Sequence, residues 1–227
     1  MREIVFDTET TGLSFSGGDR LVEIGCVELV NRVETGHTFH CYFNPERAMA
    51  AEAMAVHGLS DAFLADKPRF AEQVEALLDF LGDAPLVAHN AGFDFGFLNG
   101  ELGRCGRVLV ATERMVDTLQ IARQRHPGAK HTLDALCTRF GIDRSHRVLH
   151  GALLDAQLLA QVYVELTGGR QIGLGLISEA PETIFVTTVA ASSVVRPPRT
   201  FAPSEAELAA HDAFLKEIVD PLWLAEA

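Results

Sequence analysis

The chain has 227 residues, 48% of them hydrophobic and 22% charged, with a formal net charge of −12; that length buries one substantial core with residues left for an appendage, and the composition excludes a disordered chain. No apolar run approaches the ~18–20 residues that cross a bilayer, and MREIVFDTET lacks the basic-then-apolar order of a secretion signal, so a cytoplasmic protein with no membrane contact is expected. The acidic balance excludes a protein that grips nucleic acid through its overall field, but carboxylates holding divalent metal are locally far less negative, which leaves a phosphodiester substrate open.

Residues 2–6 (REIVF) form a short apolar run that ends in a polar cluster, the pattern of a buried strand presenting side chains at its end. Residues 20–30 and 33–43 carry β-branched and aromatic residues around a polar break at Asn31 and Arg32, which predicts a hairpin and so three antiparallel strands. From Pro68 the period changes: Phe70, Val74, Leu77, Leu78 and Leu81 predict a helix stopped by Gly82. A strand at 85–89, a helix at 93–102 and a strand near 114–117 add parallel crossovers, making the sheet mixed. Helices follow over 132–140, capped by Thr132 and closed by Gly141, and over 151–167, ended by Gly168 and Gly169. The four cysteines Cys26, Cys41, Cys105 and Cys137 are far apart, with no CxxC pair, and read as buried apolar residues in a reducing compartment.

Beyond Gly169 the composition shifts. Residues 183–195 are β-branched without alternation and lead into Arg196-Pro197-Pro198-Arg199, which predicts an extended or unstructured linker. Ser204 and Glu207 fit a capping box, and Leu208, Phe214, Leu215 and Ile218 supply an apolar face before Pro221 and Trp223, as in a docking helix. The expected organisation is one domain over 1–168, a linker over 169–200 and a docking segment over 201–227.

Five residues carry candidate chemistry. Asp7 and Glu9, two apart on a strand, share one face of the sheet and can share a metal ion. Asp94 opens a helix just after a strand, where ligands sit in open α/β sheets. His150 and Asp155 stand at the entrance of the long apolar helix, where a buried acid needs a partner. Taken alone, each of these features reads more readily as a surface acid, a cap or a helix-dipole residue. Together the four acids make a cage for hard divalent cations, and two Mg2+ or Mn2+ ions would clamp the attacking and leaving oxygens of a phosphoryl displacement. A histidine is the side chain suited to taking a proton near neutral pH, so His150 is the candidate base.

FDTETTGL at 6–13, HNAGFDFGFL at 89–98 and LHGALLDAQLLAQVY at 149–163 resemble the three exonuclease motifs of the DnaQ-like (DEDDh) proofreading family, and VHGLSD at 56–61 and TLDALCTRFGID at 132–143 resemble its bacterial replicative members. The resemblance covers residues 3–169. It implies an α/β, ribonuclease H-like fold with a mixed five-stranded sheet flanked by helices and an extended C-terminal tail. It further implies direct metal ligation by Asp7, Glu9 and Asp155, partly water-mediated ligation by Asp94, and His150 as base. Thr10, Thr11, Leu13, His57 and Asn90 would lie beside the terminal nucleotide. In the tail, Gln171, Leu174 and Leu176 resemble peptides that bind the sliding clamp, and the segment 204–223 resembles one that docks on the alpha subunit of DNA polymerase III. The partners implied are thus a DNA 3′ end, that alpha subunit, the clamp and a small accessory subunit, and tethering would raise the effective concentration of an acidic enzyme at its polyanionic substrate. Two rival readings share these motifs: an enzyme trimming RNA ends, and a structural bridge between clamp and polymerase.

Overall fold

In the computed structural model, which describes residues 1–145, 147, 149–169 and 202–218, the polar cluster DTET forms the end of the first strand. β1 runs over Arg2–Thr10, longer than its apolar run, because it is the middle strand of a five-stranded sheet ordered β3-β2-β1-β4-β5. β2 (Leu21–Val30) pairs antiparallel with it as far as Thr10, whereas β4 (Leu86–Ala88) runs parallel beside only Ile4 and Val5. Past Val5 one edge of β1 is therefore open, in the stretch of the strand that bears Asp7 and Glu9.

β3 (Val33–Tyr42) returns from β2 through Asn31 and Arg32, both at positive φ (51° and 65°), with Val30 paired to Val33. A two-residue hairpin turn of the primed kind requires that conformation. β5 (Met115–Asp117) pairs parallel with β4 and completes the mixed sheet expected from the sequence.

Seven helices of the same unit surround the sheet: α1 (Ala51–His57), α2 (Asp61–Leu64), α3 (Phe70–Leu81), α4 (Gly92–Arg104), α5 (Thr118–Arg125), α6 (Leu133–Phe140) and α7 (Ala152–Leu166). Of these, α1, α2 and α5 were not expected.

Alternation along β1 divides the core into two layers. Ile4 and Phe6 face Val74, Leu77 and Leu81 of α3 and Phe95, Leu98 and Leu102 of α4. Val5, on the opposite face, packs with Ala156, Leu159, Ala160 and Tyr163 of α7. Behind α7, Ala122 of α5 and Leu136 and Cys137 of α6 meet Leu158, Val162 and Leu166. Each fully buried large aliphatic side chain contributes about 1.5–3 kcal/mol. Two buried polar contacts fix the helices on the sheet. Arg20 grips Glu101 of α4 with a forked pair, Nε to Oε1 at 2.6 Å and Nη2 to Oε2 at 2.9 Å, and Tyr163 of α7 donates to Glu3 Oε1 at 2.7 Å.

The chain divides into two compact units, Met1–Gly175 and Leu176–Ala227. In the second, α8 (Glu205–Leu215) begins with the capping box expected at Ser204 and Glu207, each closing on the other's backbone N–H. Beyond Gly169 the linker expected over 169–200 lies outside the described residues, as do Pro221 and Trp223. Among the described residues no helix is long and apolar enough to cross a membrane.

Candidate active site

The alternation that splits the core also distributes the acids. Asp7 and Glu9 continue the odd-numbered face of β1 and so point toward α7, while Thr8 continues the even-numbered face toward α4. The helix on each side contributes one first-turn aspartate, Asp94 from α4 and Asp155 from α7, each 3% exposed. The site thus straddles the open end of β1.

On the α4 side, Thr8 Oγ1 donates to Asp94 Oδ1 at 2.7 Å. On the α7 side the helix comes unusually close to the sheet, because β2 has Gly25 opposite Asp7. A Cβ at Gly25 would lie 2.2 Å from Leu153 N and 2.4 Å from the Ala152 carbonyl carbon, so only glycine lets the first turn of α7 settle here and carry Asp155 to the carboxylates of β1.

Asp155 is held by Arg147. The guanidinium donates from Nε to Asp155 Oδ1 at 2.5 Å and from Nη2 to Oδ2 at 2.7 Å, and reaches Asp134 of α6 from Nη1 at 2.9 Å. Nη2 also donates to His150 Nδ1 at 2.7 Å, and that nitrogen is 3.0 Å from Asp155 Oδ2. His150 is half-exposed, just before α7, and its backbone N–H donates to Val56 O of the α1 end at 3.3 Å.

Packing four acids together under cover makes their charged forms costly. Burial, reinforced by Asp94, Glu9 and Asp155, raises the Asp7 carboxyl well above the usual range. Burial first, then Glu23, Asp155 and Asp94, pushes Glu9 up to about 8, with Arg147 pulling the other way. Burial likewise lifts Asp94 to about 7 against the opposing hydrogen bond from Thr8. Hydrogen bonding to Asp155 raises Arg147. A divalent cation resolves this excess of buried negative charge, and the oxygen-rich donor set suits a hard ion. One ligand atom from each of Glu9, His150 and Asp155 lies within 4.8 Å of the others, which fits a metal position; Asp7 and Asp94 complete the wall.

All five candidate residues line one cleft of about 660 Å³, with Asn90, Arg123 and His131 on its rim. Thr8, Glu9 and Phe93 also border a neighbouring cavity of about 610 Å³, lined mainly by apolar atoms and closed by Thr10, Leu13, Val56 and His57. Leu13 is 87% exposed at its edge. His57 accepts from Leu59 N through Nδ1 at 3.0 Å, and its buried Nε2 has no partner among the described residues. Of the residues expected beside a terminal nucleotide, Thr10, Leu13 and His57 therefore line the second cavity and Asn90 the first. Thr11 lines neither: it is fully buried, and its hydroxyl donates to Asp19 Oδ1 and accepts from Arg20 N. His89 also lines the first cleft, its Nδ1 joined at 2.9 Å to Thr118, whose hydroxyl donates to Ala88 O. Gln171, Leu174 and Leu176 lie outside the described residues.

Three residues that shape the site were not singled out from the sequence: Gly25, Arg147 and Glu23. Glu23 is the register partner of Glu9, 2% exposed and bonded to His40 Nε2 at 2.7 Å. An acid inside the otherwise apolar LVEIGCV was a readable signal; Gly25 and Arg147 offered none without the fold.

Comparison with known proteins gives concordant results. A model of the exonuclease family matches residues 4–163. The DNA polymerase III subunit epsilon of Rickettsia felis is 47% identical over 223 residues, covering 96% of this chain and 97% of that one. Among solved structures, exonuclease X in complex with 5′ overhanging duplex DNA has a TM-score of 0.57 at 26% identity, covering 72% of this chain and 90% of that chain. The nuclease domain of 3′hExo, a DEDDh family member bound to rAMP, has a TM-score of 0.63 at 17% identity, covering 73% and 91%, and shares the ribonuclease H-like fold.

Proposed function

Because the chain belongs to the exonuclease family and, within it, to the epsilon subunits of DNA polymerase III, we propose that it proofreads replication in the cytoplasm as a 3′–5′ exonuclease, hydrolysing the last phosphodiester of a frayed DNA 3′ end and releasing nucleoside monophosphates. The observation that carries this reading is the convergence of Asp7, Glu9, Asp94, Asp155 and His150 on one cleft that adjoins an apolar cavity.

Asp7, Glu9 and Asp155 would hold two divalent cations, Mg2+ or Mn2+, with Asp94 oriented by Thr8 as a further, partly water-mediated ligand. When bound, such ions supply Lewis acidity at the attacking and leaving oxygens of an in-line displacement. His150, on the exposed side of the cleft, takes the proton of the attacking water as its oxygen bonds to phosphorus. The bond from phosphorus to the 3′ oxygen of the preceding nucleotide breaks, and that oxygen leaves as a hydroxyl once protonated. The apolar cavity takes the terminal base and sugar: Leu13 at its exposed edge packs against the base, His57 offers its unpartnered Nε2–H, and Thr10 lies alongside with Asn90 at the phosphate side. Residues 1–168 are the nuclease unit in this reading. The peptide 171–176 would bind the sliding clamp and 201–227 the polymerase alpha subunit across the linker 169–200. Such tethering supplies the delivery that a −12 chain needs.

The test is a primer with a mismatched 3′ end and Mg2+. The protein is expected to shorten it by single nucleotides and the Asp7→Ala variant to leave it intact; shortening by the variant at an undiminished rate refutes the assignment.

A further inference from the structure

Acids dominate the chain as a whole, but not the wall formed by α5 and α6. Residues 118–150 hold six cations, Arg123, Arg125, Lys130, Arg139, Arg144 and Arg147, against two acids, Asp134 and Asp143, a net of +4 in a chain that totals −12. Arg144 and Arg147 are bound to Asp134 and Asp155. Arg123, Lys130 and Arg139 are exposed and, unlike Arg2, Arg20, Arg47 and Arg69, have no carboxylate partner among the described residues.

Their placement is not scattered. Arg123 lines the catalytic cleft together with His131 and Thr132. Lys130, the next residue along from His131, lines a shallow depression of about 500 Å³ with Ala135, Thr138 and Arg139. Ala135, Thr138 and Arg139 share one face of α6 by their spacing of three and four. Uncompensated positive charge therefore continues from the cleft outward over α6.

We propose that Arg123, Lys130 and Arg139 form a track for the sugar-phosphate backbone of the single strand lying 5′ to the nucleotide being removed. The proposal rests on the nuclease reading above. A strand whose 3′ end enters a cleft walled by four acids must carry its remaining phosphates away from them, and this wall offers three cations with no paired carboxylate among the described residues, Asp134 being taken up by Arg144 and Arg147. Ion pairing with phosphate releases counterions, so the contact is sequence-independent and salt-sensitive. That is what an enzyme removing any nucleotide requires.

The experiment compares the full chain with its Lys130→Ala/Arg139→Ala double variant on two substrates in Mg2+. One is a single-stranded DNA oligonucleotide; the other is the p-nitrophenyl ester of thymidine 5′-monophosphate, which has no upstream backbone. The variant is expected to raise KM for the oligonucleotide roughly tenfold and to flatten the slope of log KM against log salt by about 1.4, the amount due to two lost phosphate contacts. Turnover of the ester is expected to be unchanged, and since neither side chain has a bonded partner among the described residues, so is the melting temperature. An unchanged KM and salt slope on the oligonucleotide, with the ester still cleaved, overturns the track and leaves the nuclease reading standing. Wild-type protein that cleaves neither substrate overturns both. If KM is unchanged but binding to the polymerase alpha subunit is lost, the cations belong to a protein contact and the track is equally refuted.

Discussion

Asp94 and Asp155 hold matching places on the two faces of β1. Each lies in the first turn of a helix and each is 3% exposed, yet their charges are managed differently. Asp94 has a neutral donor, Thr8, and burial lifts it to about 7. Asp155 has the forked guanidinium of Arg147, itself bonded to Asp134 and His150. At Asp94 burial favours the protonated form against a single neutral donor, whereas at Asp155 a resident guanidinium offsets the charge, although Asp7 and Glu9 on the same face are themselves raised. The α7 face also carries Asp7, Glu9 and the exposed His150, so the side with the greater density of acids has the cation and the candidate base. The α4 side mainly orients a single group.

The largest expected disturbance of this asymmetry comes from Gly25→Ala. The added methyl would strike the backbone of Ala152 and Leu153, pushing the first turn of α7 and Asp155 off the sheet while leaving Thr8 and Asp94 in place. Displacement of about 1 Å at a catalytic centre lowers turnover on the order of 100-fold, and overpacking costs about 1–3 kcal/mol. Single-turnover cleavage of an oligonucleotide alongside thermal melting checks both. Wild-type turnover would mean that Asp155 does not depend on this approach.

Next in size is the contrast between Arg147→Gln and Thr8→Val. Removing one partner of a buried ion pair costs about 3–5 kcal/mol, and Arg147 and Asp155 side chains are 9% and 4% exposed. In chelator the Arg147 variant is expected to lose about 3 kcal/mol and the Thr8 variant, lacking one hydrogen bond, about 1 kcal/mol. With Mn2+ the first deficit should shrink, because the metal replaces the missing cation. Denaturant unfolding with and without metal measures each, and equal losses in all four conditions would erase the distinction between the faces.

A pH dependence is common to both. Glu9 is raised to about 8 and Asp94 to about 7, so the folded protein binds protons more tightly than the unfolded chain. The associated stability is fully present below the ordinary carboxylate range and falls as pH rises toward about 8. Melting in chelator should therefore decrease between pH 5 and 8, with roughly 2–4 °C for each kcal/mol. Mg2+ should restore most of it at the upper end. A flat profile in chelator would show that the acids are compensated in some other way.

The five candidate residues could be read from the sequence because each lies in a short segment whose own pattern marks a strand end or a helix start. The mixed sheet was legible too, from the hairpin at Asn31 and Arg32 and the later strand–helix alternation. β1 reads as a short apolar run with Asp7 and Glu9 at its end; pairing with β2 carries the strand to Thr10, and the polarity marks the site. The helix α1 escaped notice because AEAMAVH has no side-chain cap and buries only His57. Gly25 and Arg147 act across the fold, one through the space it leaves and the other through a carboxylate on a different element. Neither has a local signature.

The order in which the parts of the site appear along the chain has a consequence during synthesis. Asp7 leaves the ribosome well before Arg147, His150 and Asp155, and β1 acquires its parallel neighbour only once Leu86 has been made. A partly made or truncated chain thus holds an incomplete cleft, and contacts so distant in sequence close slowly. Catalytic competence then requires the whole unit to have been translated and folded.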